Sequence, residues 1–186
     1  MTRATALLVI DLQEAMRAER EAGYPWANPE APATAGRLLA AFRAANLVVV
    51  HIHHHGTDPE DGFHPDNPLS RAMAEVAPQP GEAVVIKHGS SGFIGTGLDG
   101  LLRDAGCDHL VVVGGEANMC VESTTRMGGN MGFRMTVVAD ALVNFQRTRR
   151  DGVVISPRDV LEMSLANLTS FARVADCADV LAELGM

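Results

Sequence analysis

The chain has 186 residues, enough for one domain with a full hydrophobic core and short for two. Hydrophobic residues make up 47% and charged residues 20%, as in soluble globular proteins. A net charge of -8 argues against nucleic acid or an anionic membrane as a partner. The first 13 residues hold an apolar run too short to span a bilayer and no cleavage site. These features predict a single domain over residues 1–186 in the cytoplasm.

Short apolar runs without alternation recur along the chain and predict strands that are buried on both faces. They cover residues 4–10, 47–52, 83–86, 110–113, 134–139 and 172–175. Helical segments are expected between them, over residues 29–45, 69–76, 97–105, about 118–130, from 156 onwards and 180–184. This alternation predicts an α/β fold of three layers, with a Rossmann-like parallel sheet of six strands and helices on both faces.

Two charged residues directly follow predicted buried strands. Asp11 ends the first apolar run and Lys87 ends the third. The carboxyl ends of strands carry the functional groups in open α/β sheets, so both side chains are expected at one functional edge. Asp11 is equally compatible with a turn or a helix cap, and most lysines are simply solvated.

Cys120 follows the fourth strand, LVVV, after the turn Gly114-Gly115. With Asn118 as N-cap, Cys120 falls in the first turn of a helix, where the helix dipole should lower the thiol pKa. A thiolate nucleophile with backbone donors for an oxyanion is one reading, and a small buried core residue is the other.

The remaining cysteines form no framework with Cys120. Cys107 closes a helix-like segment and Cys177 lies in an apolar C-terminal segment, so both are expected to be structural. An odd number of widely spaced cysteines without a CxxC pair predicts no disulfide scaffold.

Aromatic and histidine residues near the predicted edge are candidates for a substrate pocket. The stretch HIHHH at residues 51–55 ends the second strand, but no acid lies among its histidines, so no metal site is predicted there. His54 or His53 is expected to face substrate instead, with His54 as the preferred candidate. Trp26, which ends a polar loop at residues 13–26, and Phe93 are further candidates for pocket walls, with plain packing as the alternative.

Three segments together resemble the isochorismatase-like cysteine hydrolases, which include nicotinamidases, N-carbamoylsarcosine amidase and ureidoacrylate amidohydrolase. They are LLVIDLQ, VVIKHGSSGFIGTGL and LVVVGGEANMCVESTTRMGGNMGFRMTVVADA, and the resemblance extends from about residue 6 to residue 184. It implies a catalytic triad of Asp11, Lys87 and Cys120 and a homo-oligomeric assembly. It also implies a cis peptide bond at Gly115–Glu116, with the N–H groups of Glu116 and Cys120 as the oxyanion hole.

The chemistry implied is hydrolysis of a C–N bond in a small amide or ureido compound. Asp11 takes the thiol proton while Cys120 attacks the carbonyl, Lys87 favours both anions, and water later hydrolyses the thioester. No cofactor is required. Glu116 is an unusual acid at its position, and if its side chain faces the pocket it would repel anionic substrates.

Two alternatives stay open. The nicotinamidase branch of the resembled family binds a metal through an aspartate and two histidines after the second strand. That aspartate is missing here. A zinc-dependent, nicotinamidase-type amidase with its metal at the histidine cluster is therefore kept only as the second enzymatic reading. The third reading is a non-catalytic protein that uses Cys120 as a redox-sensing thiol.

Overall fold

The structure is a computed structural model that describes residues 4–185, so residues 1–3 and 186 of the predicted domain lie outside the described residues. Its strands are β1 (Ala4–Ile10), β2 (Trp26–Ala27), β3 (Val48–His54), β4 (Ala83–Lys87), β5 (Cys107–Gly114), β6 (Arg134–Leu142), β7 (Asn144–Phe145), β8 (Arg147–Thr148), β9 (Val154–Ile155) and β10 (Arg173–Ala175). Its α-helices are α1 (Glu14–Glu21), α2 (Ala31–Ala44), α3 (Leu98–Asp104), α4 (Glu122–Asn130), α5 (Pro157–Leu168) and α6 (Cys177–Glu183).

The central sheet has six strands in the order β10-β6-β5-β1-β3-β4. Every neighbouring pair is parallel, which confirms the predicted fold class. Strands β5, β1 and β3 occupy the middle of the sheet, and their apolar runs lack alternation because both faces are covered.

Two hydrophobic cores lie on opposite faces of the sheet. Leu7 and Val9 of β1 pack into the core that includes α2 and α6. Leu8 and Ile10 of the same strand point the other way, into the core that includes α3 and α5. Successive residues of β1 thus pack into opposite layers, because side chains alternate between the two faces of a strand.

Several local predictions were wrong. The polar stretch 13–26 is not a plain loop, because α1 forms there with Ala15 and Met16 buried. The predicted helix over 69–76 is replaced by two short 3₁₀ turns, Pro68–Ser70 and Ala74–Val76. Cys107 opens β5 instead of closing a helix, although it is buried as expected.

Two small antiparallel pairs flank the main sheet. Strand β2 pairs with β7, and β8 pairs with β9. The strands are only two residues long, so their sequences carry too little periodicity to be recognised. Within residues 4–185, no helix has both the length and the hydropathy needed to cross a bilayer.

Two helical glycines provide a matched test of the packing. A Cβ on Gly36 of α2 would lie 2.7 Å from the backbone oxygen of Glu75, whereas a Cβ on Gly100 of α3 meets nothing within 4 Å. We expect Gly36→Ala to lower the free energy of unfolding by about 1–3 kcal/mol through overpacking. Gly100→Ala should raise it by about 0.5–1 kcal/mol through the reduced entropy of the unfolded chain. Urea unfolding measures both changes, and equal effects of the two substitutions would contradict this account of the interface.

Candidate active site

Three side chains from separate parts of the chain meet at the carboxyl edge of the sheet. Lys87 Nζ lies 2.7 Å from Asp11 Oδ2 and donates a hydrogen bond to Cys120 Sγ at 3.2 Å. It also donates to the carbonyl oxygen of Gly89 at 3.1 Å. Asp11 and Lys87 are each only 1% exposed. The ammonium group therefore sits between the carboxyl group and the thiol.

The backbone turns sharply at Asp11. This residue follows β1 directly and has a φ of 51°, in the left-handed region that aspartate tolerates better than most residues. Its N–H still donates to Ile52 of β3 at 2.8 Å, so the sheet pairing continues to the last position before the turn. The side chain leaves the strand at its carboxyl end and enters the site.

Gln13 is a fully buried polar residue that fixes the end of β3 beside β1. Its Oε1 accepts the N–H of His54 at 2.9 Å, and its Nε2 donates to the carbonyl oxygens of His54 at 3.1 Å and Ser70 at 2.6 Å. Sequence reasoning missed this residue. The one signal in the sequence was its position, two residues after Asp11 at the end of the first apolar run.

The turn after β5 is built around Gly114, whose φ is 129°. A Cβ at this position would overlap the carbonyl oxygen of Ile10, so a glycine is needed both for the conformation and for the close approach to β1. The Gly115–Glu116 peptide bond is cis, as the family resemblance implied.

Cys120 lies in a π-helical turn, Ala117–Val121, that leads into α4. The carbonyl oxygen of Glu116 accepts the N–H groups of Met119 at 3.1 Å and Val121 at 3.2 Å, while Ala117 N–H donates to Val143 at 2.9 Å. These bonds do not use the N–H groups of Glu116 and Cys120, the two donors predicted for an oxyanion hole.

Asn118 does not cap this helix as predicted. Its N–H instead donates to the side-chain oxygen of Asn144 at 3.2 Å. Glu116 occupies the position directly before the turn, and Asn118 lies within the turn. Val143 and Asn144, at the junction between β6 and β7, thus accept hydrogen bonds from the turn. The prediction of Asn118 as N-cap was wrong.

The electrostatics of the site differ from the sequence-based expectation. Burial, followed by the negative charge of Asp11, raises the pKa of the Cys120 thiol to about 12, and Lys87 offsets only part of this rise. Burial also raises the pKa of Asp11, again against the effect of Lys87. The predicted lowering of the thiol pKa by a helix N-terminus was therefore wrong, because desolvation outweighs it.

A cavity of about 280 Å³ opens beside the three groups. Its walls are formed by Asp11, Met16, His54, Asp61, Phe63, His88, Gly89, Ser90, Glu116, Met119 and Cys120. His54 thus lies where it was predicted, with its ring 5.6 Å from that of Phe63. Burial lowers the pKa of His54, as does the nearby Lys87, so its imidazole is neutral at pH 7.

Phe93 and Trp26, the other two predicted wall residues, belong to the hydrophobic cores instead. Phe93 is 8% exposed and stacks on Phe133 with the ring centroids 5.8 Å apart. Trp26 is 4% exposed and packs edge-on against Phe145 at 6.0 Å. Their positions follow from packing between layers, so the alternative reading of these aromatics was the correct one.

The other histidines of residues 51–55 are spread over different environments. His51 is fully buried, and its Nε2 lies 2.9 Å from Glu82 Oε2. Burial lowers the pKa of His53 to about 4. In the described part of the chain, no group of three or more His, Cys, Asp or Glu side chains is arranged to hold a metal ion.

The carboxylate of Glu116 does line the cavity, but it is paired. Its Oε2 lies 2.7 Å from Arg147 Nη2 and also accepts the N–H of Phe145 at 3.3 Å. Arg147 belongs to β8 and was not among the predicted site residues. Its charge offsets that of Glu116, which weakens the predicted repulsion of anions by this residue.

The fold agrees with that of known proteins. The Isochorismatase domain model matches residues 5–178. A solved isochorismatase-family protein from Chromobacterium violaceum is 40% identical, with a TM-score of 0.92 over 98% of this chain and 94% of that chain. This chain belongs to the isochorismatase family.

Two relatives carry names that state an activity. Streptothricin hydrolase of Streptomyces noursei is 39% identical over 136 residues, which is 73% of this chain and 48% of that protein. Ureidoacrylate amidohydrolase RutB of Yersinia enterocolitica is 32% identical over 176 residues, covering 75% of each chain. The named relatives are hydrolases, and at least one acts on a C–N bond.

The pKa of Cys120 gives a test that needs no substrate. In Asp11→Asn the charge that raises the thiol pKa is removed while Lys87 stays, so the pKa should fall from about 12. We expect alkylation of Cys120 by iodoacetamide at pH 8 to become roughly tenfold faster, since one pKa unit is tenfold in thiolate. Peptide mass mapping separates Cys120 from the buried Cys107 and Cys177.

Asp99→Asn is the control for this test, because Asp99 lies on the surface of α3 with its side chain 41% exposed. Its alkylation rate should equal that of the unmodified protein. A slower reaction in Asp11→Asn would contradict the assigned cause of the raised thiol pKa.

Proposed function

We propose that this protein is a cysteine-dependent hydrolase that cleaves a C–N bond of a small amide or ureido compound through a thioester intermediate. The supporting observation is the position of Lys87 Nζ, 2.7 Å from Asp11 Oδ2 and 3.2 Å from Cys120 Sγ. The activity named for the amidohydrolase relative points to the same bond type. In this proposal Asp11, Lys87 and Cys120 form the catalytic triad.

The first half of the reaction acylates Cys120. The thiol is protonated at rest, so a base must remove its proton as sulfur attacks the carbonyl carbon. Asp11 is that base, and the burial that raises its pKa makes its carboxylate a stronger proton acceptor. Lys87 stays cationic in this scheme and balances the negative charge as it moves from carboxylate to sulfur.

The tetrahedral intermediate then breaks down. Its oxyanion accepts hydrogen bonds from the N–H groups of Glu116 and Cys120, each of which is worth about 3 kcal/mol in comparable sites. The C–N bond breaks, Asp11 returns the proton to the departing nitrogen, and ammonia or an amine leaves. Cys120 retains the acyl group as a thioester, or the carbamoyl group of a ureido substrate as a thiocarbamate.

The second half of the reaction restores the enzyme. A water molecule attacks the thioester carbonyl while Asp11 accepts its proton. The C–S bond breaks, the thiolate takes that proton back, and the acid is released. Each step uses this chain's own groups and water, so the proposal includes no metal and no organic cofactor.

The cavity limits the size of the substrate. Its volume of about 280 Å³ lies just below the usual range for ligand pockets, roughly 300–1,000 Å³. Met16, Phe63 and Met119 supply its apolar wall. A short aliphatic amide or urea fits these walls better than an extended polymer.

The proposal predicts a clear difference between two cysteine substitutions. Cys120→Ala should abolish hydrolysis of any amide or urea that the unmodified protein turns over, a loss of at least about 10⁴-fold, as for other nucleophiles. Cys107→Ala is the control, because Cys107 is buried at the start of β5 and lines no part of the cavity. Ammonia release measures both activities.

Intact-mass spectrometry during turnover provides the second readout. The unmodified protein should carry an adduct of the acyl group, and hydroxylamine should remove it, as expected for a thioester. Full activity of Cys120→Ala would overturn the proposed mechanism.

A further inference from the structure

The charges that line the cavity do not balance, and the imbalance can be assigned to one residue. Asp11 is paired with Lys87, and Glu116 is paired with Arg147. Each pair is close to neutral as seen by a ligand. Asp61 is the remaining carboxylate on the cavity wall.

Asp61 has no cationic partner in the part of the chain that the structure describes. Its Oδ1 accepts the backbone N–H of Phe63 at 2.9 Å, and its side chain is half-buried. His54 is close enough to interact electrostatically with Asp61, but its lowered pKa leaves the ring neutral at pH 7. Asp61 therefore contributes to the cavity wall a carboxylate without a cationic partner among the described residues.

A neighbouring carboxylate adds to this negative potential. Glu19 of α1 interacts electrostatically with both Glu116 and Asp61, and burial together with these two carboxylates raises its pKa. Arg147 is the one cation among the groups that act on Glu19. Three carboxylates and one guanidinium thus interact beside the cavity.

A second feature of the cavity is a buried carboxylate oxygen on its wall. Asp11 is 1% exposed and lines the cavity, yet its Oδ1 has no hydrogen-bond partner among residues 4–185. A buried oxygen of this kind is costly unless a ligand supplies a donor. Asp11 therefore marks the reacting end of the ligand, and Asp61 lies on the same continuous wall.

We infer that the natural substrate carries a cationic amino group, which Asp61 binds while the scissile carbonyl lies at Cys120. The substrate class is a short ω-amino amide or amino-substituted urea. The identity of the scissile group rests on the proposed function. The preference for a cation rests on Asp61 and can be measured without turnover.

Charged thiol reagents test the preference directly. Cys120 is treated at pH 7 with 2-aminoethyl methanethiosulfonate, a cation, and with 2-sulfonatoethyl methanethiosulfonate, an anion. The ratio of the two rates at Cys120, divided by the same ratio for free cysteine, reports the potential in the cavity. Any change in the thiol pKa affects both reagents equally and cancels in the ratio.

We expect this normalised ratio to exceed one in the unmodified protein and to fall about tenfold in Asp61→Asn. The asparagine oxygen can still accept the N–H of Phe63, so the loop conformation is preserved. Asp66→Asn is the matched control from the same loop, because the Asp66 side chain is 93% exposed and lines no part of the cavity. It should leave the ratio unchanged.

Three amides of similar length extend the test to turnover. They are 4-aminobutanamide as the cation, pentanamide as the neutral analogue and glutaramate as the anion. The kcat/KM for ammonia release should decrease in that order, and Asp61→Asn should lower it about tenfold for the cation while leaving pentanamide within about twofold.

The outcomes separate the two proposals. A reagent ratio that Asp61→Asn does not change, or equal effects of Asp61→Asn on the cationic and neutral amides, would overturn the inference. If none of the amides is hydrolysed but the reagent ratio falls as expected, the proposed function fails while the cation-binding role of Asp61 is supported.

Discussion

The buried ammonium of Lys87 is the interaction on which the rest of the site depends. Removing a charge from water costs several kcal/mol, and at 1% exposure Lys87 recovers this only through Asp11, Cys120 and the carbonyl of Gly89. The same desolvation raises the pKa values of Asp11 and Cys120. The ion pair therefore fixes the positions of these groups, while burial sets the direction of their pKa shifts.

The order of strands explains how this pair can form. Lys87 ends the edge strand β4, Asp11 follows β1, and β3 lies between those strands. A long side chain can cross the end of the intervening strand, whereas a short one cannot. Gln13 holds the end of β3 through His54, which keeps this crossing path in a fixed geometry.

Sequence patterns located the groups at strand ends but not their environment. Asp11, Lys87 and Cys120 were identifiable because each follows an apolar run and parallel strands share one carboxyl edge. The raised pKa of the Cys120 thiol could not be predicted from the sequence, since the depth of burial depends on segments far apart in the chain. Phe93 and Trp26 were misassigned for a related reason: an aromatic side chain looks the same in a sequence whether it faces a pocket or a core. Asp61 lies in a polar loop, where only the folded arrangement distinguishes it from Asp66.

The protonated state of Cys120 has a consequence for the durability of the protein. Peroxides oxidise thiolates, and thiols react with them far more slowly. Because burial raises the pKa of the Cys120 thiol to about 12, we expect slow sulfenic acid formation at neutral pH. This is the opposite of what a redox sensor needs, because a sensor requires an exposed thiol of low pKa. The burial that, in the proposed mechanism, makes Cys120 dependent on a neighbouring base would also slow its reaction with oxidants.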